Sequence, residues 1–175
     1  LGLYNQCPLT ELIIHPRVLK DFYKYNVRMN AFKEGFEKSR HSVCYNGDIF
    51  RRKDYDRLVK EYPDLDKIMV RRGIMMNPFL MEEIADGTSQ KVSGKMSAAR
   101  KADRLEKFHR LLCDGYTHVM SGDRPVLFKM KELWGFLIHS CPEEEKLMKK
   151  IRKAQHLAEY EGVVSELFCR MREHE

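Results

Sequence analysis

No apolar run in this sequence approaches the roughly 20 residues that a membrane-spanning helix needs, so a helical membrane protein is not expected. No two of the five cysteines (Cys7, Cys44, Cys113, Cys141, Cys169) form a CxxC pair. That spacing argues against a zinc site and against a disulfide framework, so no metal is expected. An odd number of scattered thiols fits a reducing cytoplasm. There is no low-complexity tract and no secretory signal. Acidic residues are in the minority, 26 against 32 basic, a net charge of +6. Such a balance permits a polyanionic partner such as nucleic acid without requiring one. The 175 residues suffice for one domain or two small ones. The chain begins Leu1-Gly2-Leu3-Tyr4, with no initiator Met, as expected of a segment from inside a longer protein.

What is present falls into two halves. In the first, short apolar runs alternate with amphipathic stretches. Leu9 to Pro16 is short, rich in branched residues and closed by Pro16, which reads as a buried strand. Met29 to Lys38 places Ala31, Phe32, Gly35 and Phe36 on one helical side. Ser42 to Asn46 is a second strand, and Arg51 to Tyr62 a second helix that Pro63 stops. Asp66 to Val70 is a third strand. Phe79 to Ala85 is a third helix, opened by Asn77 as N-cap and Pro78 in its first turn. Strands and helices alternating at this spacing predict right-handed βαβ units and a parallel sheet.

The strand ends carry the candidate site. His15-Pro16-Arg17 follows the first strand, Asn46-Gly47-Asp48 the second and Arg71-Arg72-Gly73 the third. A His or Arg at the C-terminal end of a parallel strand points into the ligand crevice. A glycine there lets the backbone approach a ligand, and its N–H can serve a phosphate. Each tip alone can equally be a surface turn. Three successive tips able to face one phosphate group are a more specific signal than any one of them.

From Asp86 the character changes. The polar segment through Gly94 reads as a linker, and everything after it as helix. Ala102 to Met120 shows a stripe of Leu105, Phe108, Leu112, Tyr116 and Val119. Arg124 to His139 has Asp123 as N-cap, and Trp134 belongs to its core stripe. A third helix starts at Pro142 with Glu143, Glu144 and Glu145, and a fourth spans Leu157 to Met171. Four amphipathic helices with short links predict a small bundle. Lys91, Lys95, Arg100, Lys101, Arg104, Lys107 and Arg110 form a basic stretch opposed only by Asp103 and Glu106. It can track an RNA backbone with His109 and Tyr116 as stacking groups, or be a solvated helix face. No cysteine has a His or Asp partner that would mark a nucleophile, so no catalytic residue is assigned.

Leu12-Ile13-Ile14-His15-Pro16-Arg17, Asp21-Phe22-Tyr23, Cys44-Tyr45-Asn46-Gly47-Asp48-Ile49, and Ile68-Met69-Val70-Arg71-Arg72-Gly73 with Asn77-Pro78 resemble the C-terminal half of a bacterial tRNA-dihydrouridine synthase. Phe128 to Trp134 resembles that family's helical domain. The resemblance implies an α/β plus all-α chain: the last three βα units of an FMN-binding TIM barrel over 1–86, then a four-helix tRNA-binding domain over 95–175. It implies NADPH-driven, flavin-dependent reduction of uridine in tRNA, the uridine being flipped out of its stack. By the same resemblance, His15 contacts FMN, Asn46, Gly47 and Asp48 line the flavin site, and Arg71 and Arg72 hold the phosphate.

Two departures qualify it. Arg71 stands where the family pattern has glycine, and either crowds the FMN phosphate or adds a charge to it. The earlier barrel strands, with the cysteine that protonates C5, have no counterpart here. The chain alone is therefore expected to be inactive, and to self-associate through an open barrel edge. The alternative is a non-catalytic RNA-binding module derived from the same family.

Overall fold

A computed structural model describes residues 1–21, 24–88, 96–141 and 144–173. The chain divides into two compact units, Leu1–Ile74 with Phe79–Ile84, and Met75–Pro78 with Ala85–Glu175.

The first unit is built on a three-stranded parallel sheet in the order β1 (Glu11–Ile14), β2 (Ser42–Tyr45), β3 (Lys67–Ile68). Its connections are α1 (Met29–Lys38) and α2 (Arg52–Glu61). Each strand is short and carries β-branched or aromatic residues (Ile13 and Ile14, Val43 and Tyr45, Ile68), which suit a pleated surface. Phe32 of α1 is wholly buried and meets Tyr45 of β2 edge-on at 4.8 Å and Tyr62 at 5.1 Å. Burying such a ring contributes about 1.5–3 kcal/mol. Gly35 lets α1 settle on β1, because a Cβ there would lie 2.9 Å from Cδ1 of Ile14. Asp54 starts α2 by accepting from the backbone N–H of Phe50 (3.1 Å) and of Arg51 (3.0 Å), groups a helix start leaves unpaired. On the opposite sheet face, Glu11 and Lys67 form a 2.7 Å ion pair reaching across β2. Ile13 on the same face is 46% exposed.

The third βα unit differs from the sequence expectation. β3 pairs over two residues only, and Arg72, expected at a loop tip, opens a short helix, α3 (Arg72–Met76). The next helix, α4, spans Leu80–Thr88, so Asn77 and Pro78 precede it instead of capping it. It also runs past Asp86, where the linker was expected to begin. Of that linker, Ser89 to Gly94 lies outside the described residues, as do Lys95, Phe22, Tyr23, Pro142 and Glu143.

The second unit contains α5 (Ala98–Val119), α6 (Asp123–Leu137), α7 (Glu145–Lys153) and α8 (Leu157–Glu173). α5 packs on α8 and α6, and α7 packs on α8 and α6. Trp134, Met130, Tyr160, Leu167 and Phe168 fill the core and are all fully buried. Ser97 caps α5, its hydroxyl accepting from Arg100 N–H at 3.3 Å. α6 follows Gly122, whose φ of +82° is a conformation that glycine adopts without strain. Asp123 is not its N-cap. Its carboxylate instead accepts from the backbone N–H of Leu157 at 2.9 Å, so it caps α8 from another helix.

Candidate functional site

Parallel register brings the three strand ends level, with Ile14 opposite Tyr45 and Tyr45 opposite Ile68. The ladder runs on past them, through Asn46 N–H to Ile14 O at 3.0 Å and Met69 N–H to Tyr45 O at 2.8 Å. Residues just beyond the three ends are thereby held next to one another.

His15 and Asn46 meet first. His15 Nδ1 lies 2.5 Å from the carbonyl oxygen of Asn46. A carbonyl only accepts, so Nδ1 carries the proton, and in the neutral ring Nε2 is the acceptor.

Asp48 organises the rest. One carboxylate oxygen takes Arg17 and the other takes Arg72, the latter at 2.5 Å. The Arg17 side chain is only 4% exposed, and its guanidinium also donates to the carbonyl of Tyr25. A charge so deep in the fold needs this pairing. The Arg72 guanidinium lies 5.2 Å from the centroid of the Phe50 ring. Two guanidiniums against one carboxylate leave a formal positive charge at the strand ends, and guanidinium geometry suits phosphate.

The β1–α1 loop is tied down beside them. Asp21, 3% exposed, accepts from Val18 N–H at 3.0 Å and from Arg28 at 2.9 Å. Next to Asp48 is a cavity of about 470 Å³ with an apolar floor that includes Val27, Met29 and Leu58. Carboxylates of Asp48, Asp54 and Glu61 line it against the cation Arg57, so an anion is better served on the arginine side of Asp48. Burial, with the nearby Asp48 charge second, pushes the Tyr45 phenol in this cavity up to about 12.

Of the residues singled out in the sequence, His15, Asn46, Asp48 and Arg72 are brought together. Arg71 is not: it is exposed and makes no ion pair among the described residues. The two glycines serve the fold. A Cβ on Gly47 would strike the ring and hydroxyl of Tyr45, and one on Gly73 would strike the carbonyl oxygen of Ile49. Their missing side chains are thus filled from within. Arg17 joins the cluster at Asp48, as expected of the His15-Pro16-Arg17 tip, although the family resemblance assigns it no role.

The basic stretch of the second unit also resolves differently. His109, expected as a surface stacking group, is 6% exposed, and Tyr116 is half-buried. Burial holds the His109 imidazole down at about 4. Phe108, expected in the core stripe, is 45% exposed. Arg110 faces Glu106 at 3.3 Å, apart from the other cations. Arg172 of α8 takes Asp103 at 2.8 Å and also Glu106, so of the stretch's own cations Arg110 alone is seen to pair with either acid among the described residues. Lys91 and Lys95 lie outside the described residues.

No helix among the described residues is long and apolar enough to cross a membrane. No group of three or more His, Cys, Asp or Glu among them is placed to hold a metal ion. Comparison with protein families finds that the model described as dihydrouridine synthase (Dus) matches residues 4–170. No curated protein matches the chain.

Proposed function

Because the chain belongs to the dihydrouridine synthase family, we propose that it serves the reduction of uridine in tRNA by FMN and NADPH, and that its strand ends form one wall of the FMN site. The observation that carries this reading is the Arg17–Asp48–Arg72 cluster at the ends of parallel strands. Its donor set fits a phosphate in charge and in geometry. Arg72 holds the phosphate, with the buried Arg17 fixing Asp48 behind it, Arg71 adds charge at the rim, and His15, Asn46, Gly47 and Asp48 line the wall. When bound, the flavin supplies the hydride chemistry. The three-stranded sheet is read as part of a TIM barrel, and the second unit as a four-helix tRNA-binding bundle.

The phosphate assignment is tested by titrating the chain with FMN and with riboflavin. FMN is expected to bind at least about tenfold more tightly, as one charge-assisted contact allows, and Arg72→Ala to remove the difference. Equal binding of the two flavins by the unaltered chain overturns the assignment. For the RNA reading, affinity for a tRNA transcript should fall steeply with salt and drop further in Lys101→Glu with Arg104→Glu.

A second reading, a non-catalytic RNA-binding module, is favoured by the thiols. Cys44 lies within β2 at 5% exposure, and its thiol is pushed up chiefly by burial. Cys113 and Cys141 are buried in the second unit and likewise raised by burial. None of the three is poised as a general acid at the strand ends. We therefore expect no tRNA-dependent NADPH oxidation by the chain alone, even with FMN added. Turnover in that assay would sink the second reading.

A further inference from the structure

We propose that Phe108 is a stacking platform for an unpaired RNA base, set in the cationic flank of α5. This deepens the RNA-binding reading above and rests on it. On a helix, residues three and four apart stand above one another. Lys101, Arg104, Phe108, Leu111, Gly115 and Val119 follow that spacing and form one row without an acidic member. The core row is Ala102, Leu105, His109 and Cys113, all buried. Asp103, Glu106, Arg110 and Asp114 make a third row on the other side, where Arg172 engages Asp103 and Glu106. Charge is thus sorted by flank, with cations beside the exposed ring and acids away from it. Arg100 and Lys107 border the cationic row and make no ion pair among the described residues.

The apolar members of this row are not core residues that happen to reach the surface. Phe108 is 45% exposed, Leu111 64% and Val119 73%. Gly115 has open space where a side chain would begin, so beyond Phe108 only the exposed Leu111 projects before Val119. An exposed aromatic ring beside a run of cations is how proteins hold single-stranded nucleic acid: the cations follow the backbone and the ring takes a base face. The cations of the turns before the ring select a polyanion over a neutral protein surface. The stacking selects an unpaired base over a duplex.

The test uses the full chain, with anisotropy of a labelled tRNA transcript, an oligouridylate and a blunt RNA duplex. Phe108→Ala should weaken the transcript and the oligouridylate by about tenfold, the order expected for one stacked base, and leave the duplex unchanged. Phe108→Trp should retain binding and Phe108→Leu should not. The salt slope should stay the same in all three, since no charge is altered. Trp134 emission, from the buried core, reports whether each variant is folded. Unchanged affinity of a folded Phe108→Ala overturns the platform, while steep salt dependence of that variant leaves the RNA-binding reading standing. Loss of self-association in Phe108→Ala by ultracentrifugation, without loss of RNA affinity, makes the flank a protein-docking face and also overturns it. Absence of RNA binding by the unaltered chain overturns both.

Discussion

The hydroxyl oxygen of Tyr160 lies 2.5 Å from Nε2 of His109. Trp134 Nε1, which can only donate, reaches the same oxygen at 2.8 Å. That leaves the Tyr160 proton available to Nε2 of a neutral His109 ring, whose own proton then sits on Nδ1. The relay ties α6, α8 and α5 together inside the second unit.

A pH dependence follows. Burial lowers the His109 imidazole from 6.5 to about 4 in the folded chain. Between those values the unfolded chain binds a proton that the folded chain does not, so stability falls as pH falls from about 6.5 to 4. The full shift corresponds to about 3 kcal/mol. Denaturant unfolding followed by Trp134 fluorescence should show that loss. His109→Gln should flatten the slope in this window, at some cost in stability at neutral pH. An identical slope in the variant would mean that other groups carry the dependence.

Asp48 supports the first unit as well as its candidate site. Asp48→Ala leaves the nearly buried Arg17 guanidinium without its carboxylate, a loss of the order of 3–5 kcal/mol. Arg72, 29% exposed, can turn to water, so Arg72→Ala should cost roughly 1 kcal/mol or less. Urea unfolding of the two variants should rank them in that order. The reverse order would show that Arg72, and not Arg17, is the charge the carboxylate is needed for.

The alternation of strands and helices was readable from the sequence because each apolar run was short and ended in a turn residue. The three strand ends were readable for the same reason, since parallel register must bring them level. Side-chain direction on a helix was harder to read. Phe108 and His109 are adjacent, and a phase error of one residue exchanged a core ring for a surface one. Composition favoured the error, since Phe is the more apolar of the two; only Tyr160, far along the chain, gives the buried imidazole its partner. Asp123 misled in the same way. An Asp at a helix start reads as that helix's own cap, and nothing local shows that it reaches Leu157 instead. The sorting of α5 by charge depends on Arg172, which no window around the basic stretch contains.

The glycines separate into two kinds with opposite expected effects. Gly73→Ala drives a Cβ into the backbone carbonyl of Ile49, which a rotamer change cannot relieve, and should destabilise by about 1–3 kcal/mol. Gly115→Ala meets nothing within 4 Å and replaces a poor helix former inside α5. It should stabilise by roughly 0.5–1 kcal/mol. Thermal unfolding of the two single variants checks both signs. A destabilising Gly115→Ala would show that the space beside it is occupied in solution.

Arg172 couples the core packing of α8 to the charge pattern of α5. Its guanidinium pKa is raised, first by hydrogen bonding to Asp103 and then to Glu106. The group is 36% exposed and Asp103 is 64% exposed, so Arg172→Ala should cost at most about 1 kcal/mol of stability. Its larger effect should be on RNA. Removing one cation and uncovering two acids on the neighbouring flank makes the field around α5 less positive. Affinity for a tRNA transcript should then fall several-fold at low salt. The difference should shrink as salt rises and the Debye length contracts to about 8 Å at physiological ionic strength. A variant that loses affinity equally at every salt concentration would instead point to a non-electrostatic cause, such as altered packing of α8 on α5. One that loses none would show that the acidic flank is electrically irrelevant to binding.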